Sequence, residues 1–255
     1  MRLLAAVFCA VLARPALAQS DTTAVPAALA AGDSAYVARD ASAALDHYKA
    51  AIAADSTNYT ALWKASRSAI DLAEFEKNDS TRDAELAAGV GYARRATAAN
   101  PGGTEGHFTL ARALGREALT KGAKARVGYA KEVRTEALKS IDADPKNAGA
   151  LHVMGVWNAE IMRLSGFERF FAKSFLGGGI FSEASWHNAV DFMRQAIAND
   201  SVRIIHHLDL GKIYQDTGDK AKARQEFQKV VDGPTIDYND PHYKEDAQHR
   251  LAKLN

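Results

Sequence analysis

IIHHLDLGKIYQDTGDKAKARQEFQKVVDG, residues 204–233, is the stretch that decides the fold. Its apolar residues recur at helical rather than strand spacing. Leu210 and Gly211 are followed by Tyr214 in a first helix, and Gly218-Asp219 supply a turn. Ala223, Phe227 and Val230 then share one face of a second helix at i, i+4 and i+7. A single pair of this kind leaves an apolar side uncovered and needs similar neighbours to cover it.

This arrangement resembles the tetratricopeptide repeat almost position for position, with His207 where the fullest signature has Trp; the resemblance implies that Gly211 and Ala223 sit where the two helices cross closely and that Leu210, Tyr214 and Phe227 fill the space beside the crossing. Earlier units are marked by their ends, where Asp or Asn precedes Ser or Pro: Asp55-Ser56, Asn100-Pro101, Asp144-Pro145 and Asp200-Ser201. Ser or Pro at such a place stops one helix and starts another. These marks lie 45, 44 and 56 residues apart, each more than the 34 residues of the plain repeat. The surplus falls between the first helices (ALWKASRSAIDLAEF, EGHFTLARALGREAL and GALHVMGVWNAEIMRL) and the second helices that follow them. Unit one, about Val25 to Asn58, has ordinary length, with Gly32, Ala44, Tyr48 and Ala51 in register. The expected fold is all-α. It is a right-handed tetratricopeptide-like solenoid over residues 25–255, with about five helix pairs and elongated hairpins in units two to four. It carries an insertion at 164–186 and a last amphipathic helix, His242 to Leu254, that caps the end.

Residues 1–18 read as a secretory signal peptide: Met1-Arg2, an apolar run from Leu3 to Ala13, and Ala16-Leu17-Ala18 ahead of a cut before Gln19. Residues 19–24 read as a flexible tail. A periplasmic or secreted location is therefore expected. The only cysteine, Cys9, leaves with the signal, which excludes disulfides and thiolate chemistry from the mature chain. Loss of Arg2 and Arg14 takes 32 basic residues to 30 against 31 acidic ones. Near-neutrality of this kind gives no global attraction to nucleic acid. No later apolar run is long and uncharged enough to span a membrane.

A narrower resemblance lies in GYARRATAANPGGTEGHF, in GALHVMGVWNAEIMRLSGFERFFAKSFLGGG, and in HHLDLGKIYQDTGDKAKARQEFQKVV, within Ala88 to Asn255. The middle block is the distinctive one. Its Trp157, Ser165-Gly166-Phe167-Glu168 and Phe170-Phe171-Ala172-Lys173 are similar to an insertion between two repeat helices in bacterial relatives of the regulator of microtubule dynamics family. The resemblance implies a tetratricopeptide-like interaction protein and brings no catalytic residue. It does not imply microtubules for an exported bacterial chain.

First helices of such pairs face the concave side, so the expected groove residues are Trp63, Arg67, Phe108, Arg112, Arg116, His152, Glu160 and Lys212. Arg67, Arg112 and Lys212 share one repeat position and would form a basic ladder for an acidic peptide; the competing reading is a solvated face of local pairs, such as Arg112 or Arg116 with Glu117. In the insertion, Phe167, Phe170, Phe171 and Phe175 form an amphipathic stripe that either packs on the solenoid or docks on a partner or membrane surface. His107, His152 and His207 occur at similar places in successive units, a metal pattern of low specificity whose alternative is repeat-position filling. Gly177 to Gly179 lacks the Lys and spacing of a phosphate loop, and no nucleophile elbow or zinc-protease motif occurs. The resulting expectation is a non-catalytic scaffold in the cell envelope, with no metal or cofactor, that binds a protein or peptide partner in its groove. The rivals are a membrane-peripheral assembly factor standing on the Phe-rich stripe and a metal-dependent enzyme built on the three His.

Overall fold

The computed structural model describes residues 23–165 and 179–254. The signal peptide, most of the tail and the Phe stripe (Phe167, Phe170, Phe171, Phe175) lie outside the described residues.

The described residues form helices with no strand among them: α1 (Ala24–Val37), α2 (Ala41–Ala54), α3 (Tyr59–Ala73), α4 (Asp79–Ala99), α5 (Thr104–Leu119), α6 (Ala123–Ala143) and α7 (Ala148–Arg163), then a short α8 (Gly179–Ser182), α9 (Trp186–Asn199), α10 (Ile204–Asp216), α11 (Lys220–Asp232) and α12 (Asp240–Lys253). Neighbours in sequence are neighbours in space, and the pairs are α1/α2, α3/α4, α5/α6, α7/α9 and α10/α11. First helices also touch the next first helix, α3 on α5 and α5 on α7, which lays them along one inner face.

The punctuation residues have a defined role. Asp55, Asn100, Asp144 and Asp200 are the C-caps of α2, α4, α6 and α9. Three residues later the chain re-enters a helix, at Asn58, Gly103, Asn147 and Arg203. Side chains of Asn58 and Asn147 accept from the amides of Ala61 and Ala150, meeting donors that a helix start otherwise leaves unpaired. Within pairs, the crossings rest on missing side chains. A Cβ on Gly32 would lie 2.4 Å from the Tyr48 ring, and one on Gly211 would lie 2.5 Å from Phe227. Both rings are fully buried.

Elongation takes the form of helix rather than loop in two units. The second helices α4 and α6 run 21 residues each, against 14 in α2 and 13 in α11. Their starts carry little apolar periodicity, and Asn78 opens α4 by capping Thr81.

The C-terminal end departs from a simple cap. α12 packs on α11 and α10, but residues 235–243 also cross back to the first two units. Arg39 donates to the Thr235 carbonyl (3.3 Å), Asn239 Nδ2 donates to the Asp71 carbonyl (3.0 Å) and the Tyr243 hydroxyl donates to Glu74 (2.8 Å). Phe75 stacks on His242 with ring centroids 4.4 Å apart. The strap has its own brace, because Asp240 Oδ2 accepts the amides of Ile236 and Asp237, both at 2.7 Å. Repeat logic alone leaves an open trough; the superhelical turn instead brings the strap onto α3 and covers part of the inner face.

Candidate functional site

The space between the inner face and the strap is a half-open cavity of about 520 Å³, within the range of ligand-sized sites. Its wall comes from first helices: Trp63, Arg67 and Asp71 from α3, Phe108, Arg112 and Arg116 from α5, His152, Val156 and Glu160 from α7, and His206 and Asp209 from α10. α1 adds Tyr36, and the strap adds Asp237, Asn239 and Tyr243. Towards α6 the wall turns apolar, with Leu119, Val127, Ala130, Val133, Trp157 and Ile161. Seven of the eight expected groove residues line this cavity. Lys212 does not; it pairs with Asp209 (3.1 Å) and Asp246 (3.2 Å).

Two members of the expected basic ladder, Arg112 and Lys212, are taken up by ion pairs, while Arg67 has none among the described residues. Arg112 Nη2 donates to Asp71 Oδ1 at 2.6 Å, and Arg116 Nη2 lies 2.6 Å from Glu74 Oε1. The carboxylates come from α3, one unit back, and not from Glu117 on the same helix. Burial opposes the charge on Arg112, but Asp71 and Glu74 outweigh it and hold the guanidinium ionised well above its ordinary range. Removing one partner from such a buried pair is costly because the other charge stays behind. Tyr36 donates to Asp71 Oδ2 (3.0 Å), so one carboxylate joins α1, α3 and α5. Across the cavity Arg203 bridges Asp200 (3.0 Å) and Asp237 (2.6 Å), tying the strap to α10.

A second network runs through the histidines. His152 Nε2 lies 3.2 Å from Asp209 Oδ2, and His152 Nδ1 lies 2.9 Å from His206 Nδ1. Burial, aided by His152 and Arg203, pushes the pKa of His206 down to about 2. Burial works against the Asp209 charge, yet Lys212 and His152 keep that carboxyl well below the usual range. A neutral His206 beside an ionised Asp209 is the state that burial and charge together select.

The metal alignment is corrected by one residue of register. His107 and His207 share a repeat position and face their own second helices: His107 meets Glu136, and His207 meets Glu226, each at 2.6 Å. Lys139 and Lys229 complete the two equivalent clusters, each 2.8 Å from its Glu. His152 stands one position further on, about 100° around the helix, and faces the cavity. Among the described residues no group of three or more potential ligands is placed to hold a metal ion, and no helix is long and apolar enough to cross a membrane.

What the sequence missed is the contribution of α1 and the strap. Tyr36, Asp237, Asn239 and Tyr243 lie outside the first-helix positions that repeat logic selects. Asp237 and Asp240 share a turn in the strap, where Asp240 Oδ2 accepts the Asp237 amide, and Asp237 also reaches Arg203.

Residues 28–255 match the family model described as Regulator of microtubule dynamics protein 1-3. The chain is 25% identical over 198 residues to Regulator of microtubule dynamics protein 1 of Bos taurus, covering 76% of this chain and 59% of that protein. The corresponding human protein is 23% identical over 194 residues, covering 75% and 61%. The chain thus spans about three-fifths of the length of these relatives. Among solved structures, the tetratricopeptide protein TTC0263 of Thermus thermophilus superposes with a TM-score of 0.63 at 17% identity, over 91% of this chain and 98% of that one. Pseudomonas aeruginosa pilF superposes with a TM-score of 0.50 at 11% identity, over 91% and 92%. These structural similarities establish a tetratricopeptide-like fold.

Proposed function

This chain belongs to the regulator of microtubule dynamics family, and we propose that it is a non-catalytic scaffold that holds a segment of a protein partner in its central cavity. The observation that carries this reading is the cavity itself: five first helices and the strap converge on one half-open space of about 520 Å³ with a charged side and an apolar side. An extended segment has both kinds of surface, a polar backbone and alternating side chains. The wall's acids and bases are mostly committed to one another, Arg112 and Arg116 to α3, His152 to Asp209 and Arg203 to the strap. Such pairs fix the shape of a wall and leave little for proton transfer. The relatives' names concern microtubule dynamics; only the scaffold role is proposed for this chain. The signal-like residues 1–18 support action in the periplasm or outside the cell.

Gly115 offers a clean test. It lines the cavity, and a Cβ there would meet nothing within 4 Å. Gly115→Trp should fill the space without disturbing the helix crossings. Photocrosslinking from a cavity position in native envelope should capture a partner set that this variant loses. An identical set from the blocked, folded variant would contradict the reading.

A further inference from the structure

We propose that Arg67 is the recognition point for a single carboxylate carried by the occupant of the cavity. The inference rests on the reading of the cavity as a partner-binding site and names the chemistry it selects.

Five arginines line the cavity, and four of them are already engaged. Arg112 and Arg116 are neutralised from α3, and Arg203 by Asp200 and Asp237. Arg126 is exposed and donates to the carbonyls of Lys121 and Leu119 at the end of α5. Arg67 differs. No carboxylate lies within ion-pair distance of it among the described residues, and its buried Nε has no hydrogen-bond partner. What holds it is aromatic: its Cζ sits 3.5 Å from the Tyr36 ring centroid and 5.2 Å from that of Trp63. Tyr36 is itself held by its bond to Asp71, which Arg112 holds in turn. Besides the rings, Arg67 has one polar partner, the Tyr48 hydroxyl, which accepts from its side chain while donating to Asp33; a guanidinium has further N–H groups to offer a ligand.

A guanidinium stacked on a ring is fixed in plane and orientation while its N–H edge stays available. That edge matches the two oxygens of a carboxylate. The apolar side of the cavity weakens screening and so strengthens such a pair. The surrounding wall sets the charge of the ligand. Glu105 and Asp237 also face the cavity. Those acids repel a dianion more than a monoanion, so a Glu, Asp or chain-terminal carboxylate fits better than a phosphate group.

The test starts from an unbiased displayed peptide library panned on the full mature chain. Synthetic copies of the enriched peptides are then measured by fluorescence anisotropy in three forms: acidic, with the acid replaced by its amide, and with phosphoserine in its place. Wild type should prefer the acidic form over the amide by about ten- to a hundredfold, the range of a charge-assisted pair. Arg67→Gln should bind both forms alike, near the wild-type affinity for the amide, and Arg67→Lys should recover only part of the preference. Circular dichroism on each variant establishes folding, and the Lys variant preserves the charge if Gln destabilises the stack. Peptides that bind wild type with no preference for the acid, or more tightly as phosphoserine, would overturn the carboxylate assignment and leave the scaffold standing. Failure of any peptide to bind would overturn both.

Discussion

Gly211→Ala is the smallest change that interrogates the helix crossing. The added Cβ would stand 2.5 Å from Phe227 Cε1 and 2.7 Å from Cδ1, where ordinary contact begins near 3.4 Å. Phe227 is fully buried and has no room to withdraw. Overpacking of this kind costs about 1–3 kcal/mol, and a clash of nearly 1 Å belongs in the upper part of that range. Ala in a helix interior returns about 1 kcal/mol over Gly. The net expectation is a loss of about 1–2 kcal/mol. Gly91→Ala supplies the control, because Gly91 is exposed in α4 and a Cβ there meets nothing within 4 Å. That variant should gain up to about 1 kcal/mol from helix propensity alone. The same chemical change should thus move urea midpoints, read by far-ultraviolet circular dichroism, in opposite directions. Adding Phe227→Leu should make Gly211→Ala far less harmful, a coupling that a double-mutant cycle isolates. Equal shifts at Gly211 and Gly91, or no coupling to Phe227, would refute the close-crossing explanation.

Asp71→Ala should cost about 3–5 kcal/mol in urea unfolding, because it leaves Arg112 buried beside a single remaining acid, Glu74, at 3.4 Å. Stability should fall as pH drops below about 6.5, the ordinary histidine value. His206 has a folded pKa lowered to about 2, so between those values the unfolded chain binds the extra proton, at about 1.4 kcal/mol per pH unit. Unfolding at pH 5 should therefore be easier than at pH 7.5 by about 2 kcal/mol, and His206→Asn should flatten that slope. Tyr243→Phe, which deletes one strap hydrogen bond to Glu74, should cost about 1 kcal/mol by the same assay.

Local signals were legible wherever a single unit contains the whole cause. Gly211 with Phe227, and the Asp or Asn ends of the second helices, are read within thirty-odd residues, and the repeat supplies the rest by analogy. The lengthening of α4 and α6 was visible as surplus spacing but not as helix, because segments such as DSTRDAEL bury little and carry no apolar stripe. Repeat position brought Arg112 to the inner face; its partners Asp71 and Glu74, on another unit, answer to superhelical geometry instead. The same holds more strongly for Asn239 and Asp71, 168 residues apart. Register matters at the scale of one residue, as His152 shows by facing the cavity while His107 and His207 face Glu136 and Glu226.

Contact of the strap with the end of α3 is the claim on which the cavity depends. Cysteines at Phe75 and His242, whose rings stack at 4.4 Å, probe it directly in a mature chain whose sole native cysteine, Cys9, precedes the expected cut. Under dilute native conditions a short bismaleimide should join the two positions within one molecule, and urea above the unfolding midpoint should abolish the product. A native chain in which these two sites fail to join, or join only between molecules, would mean that the solenoid is open and the cavity does not exist.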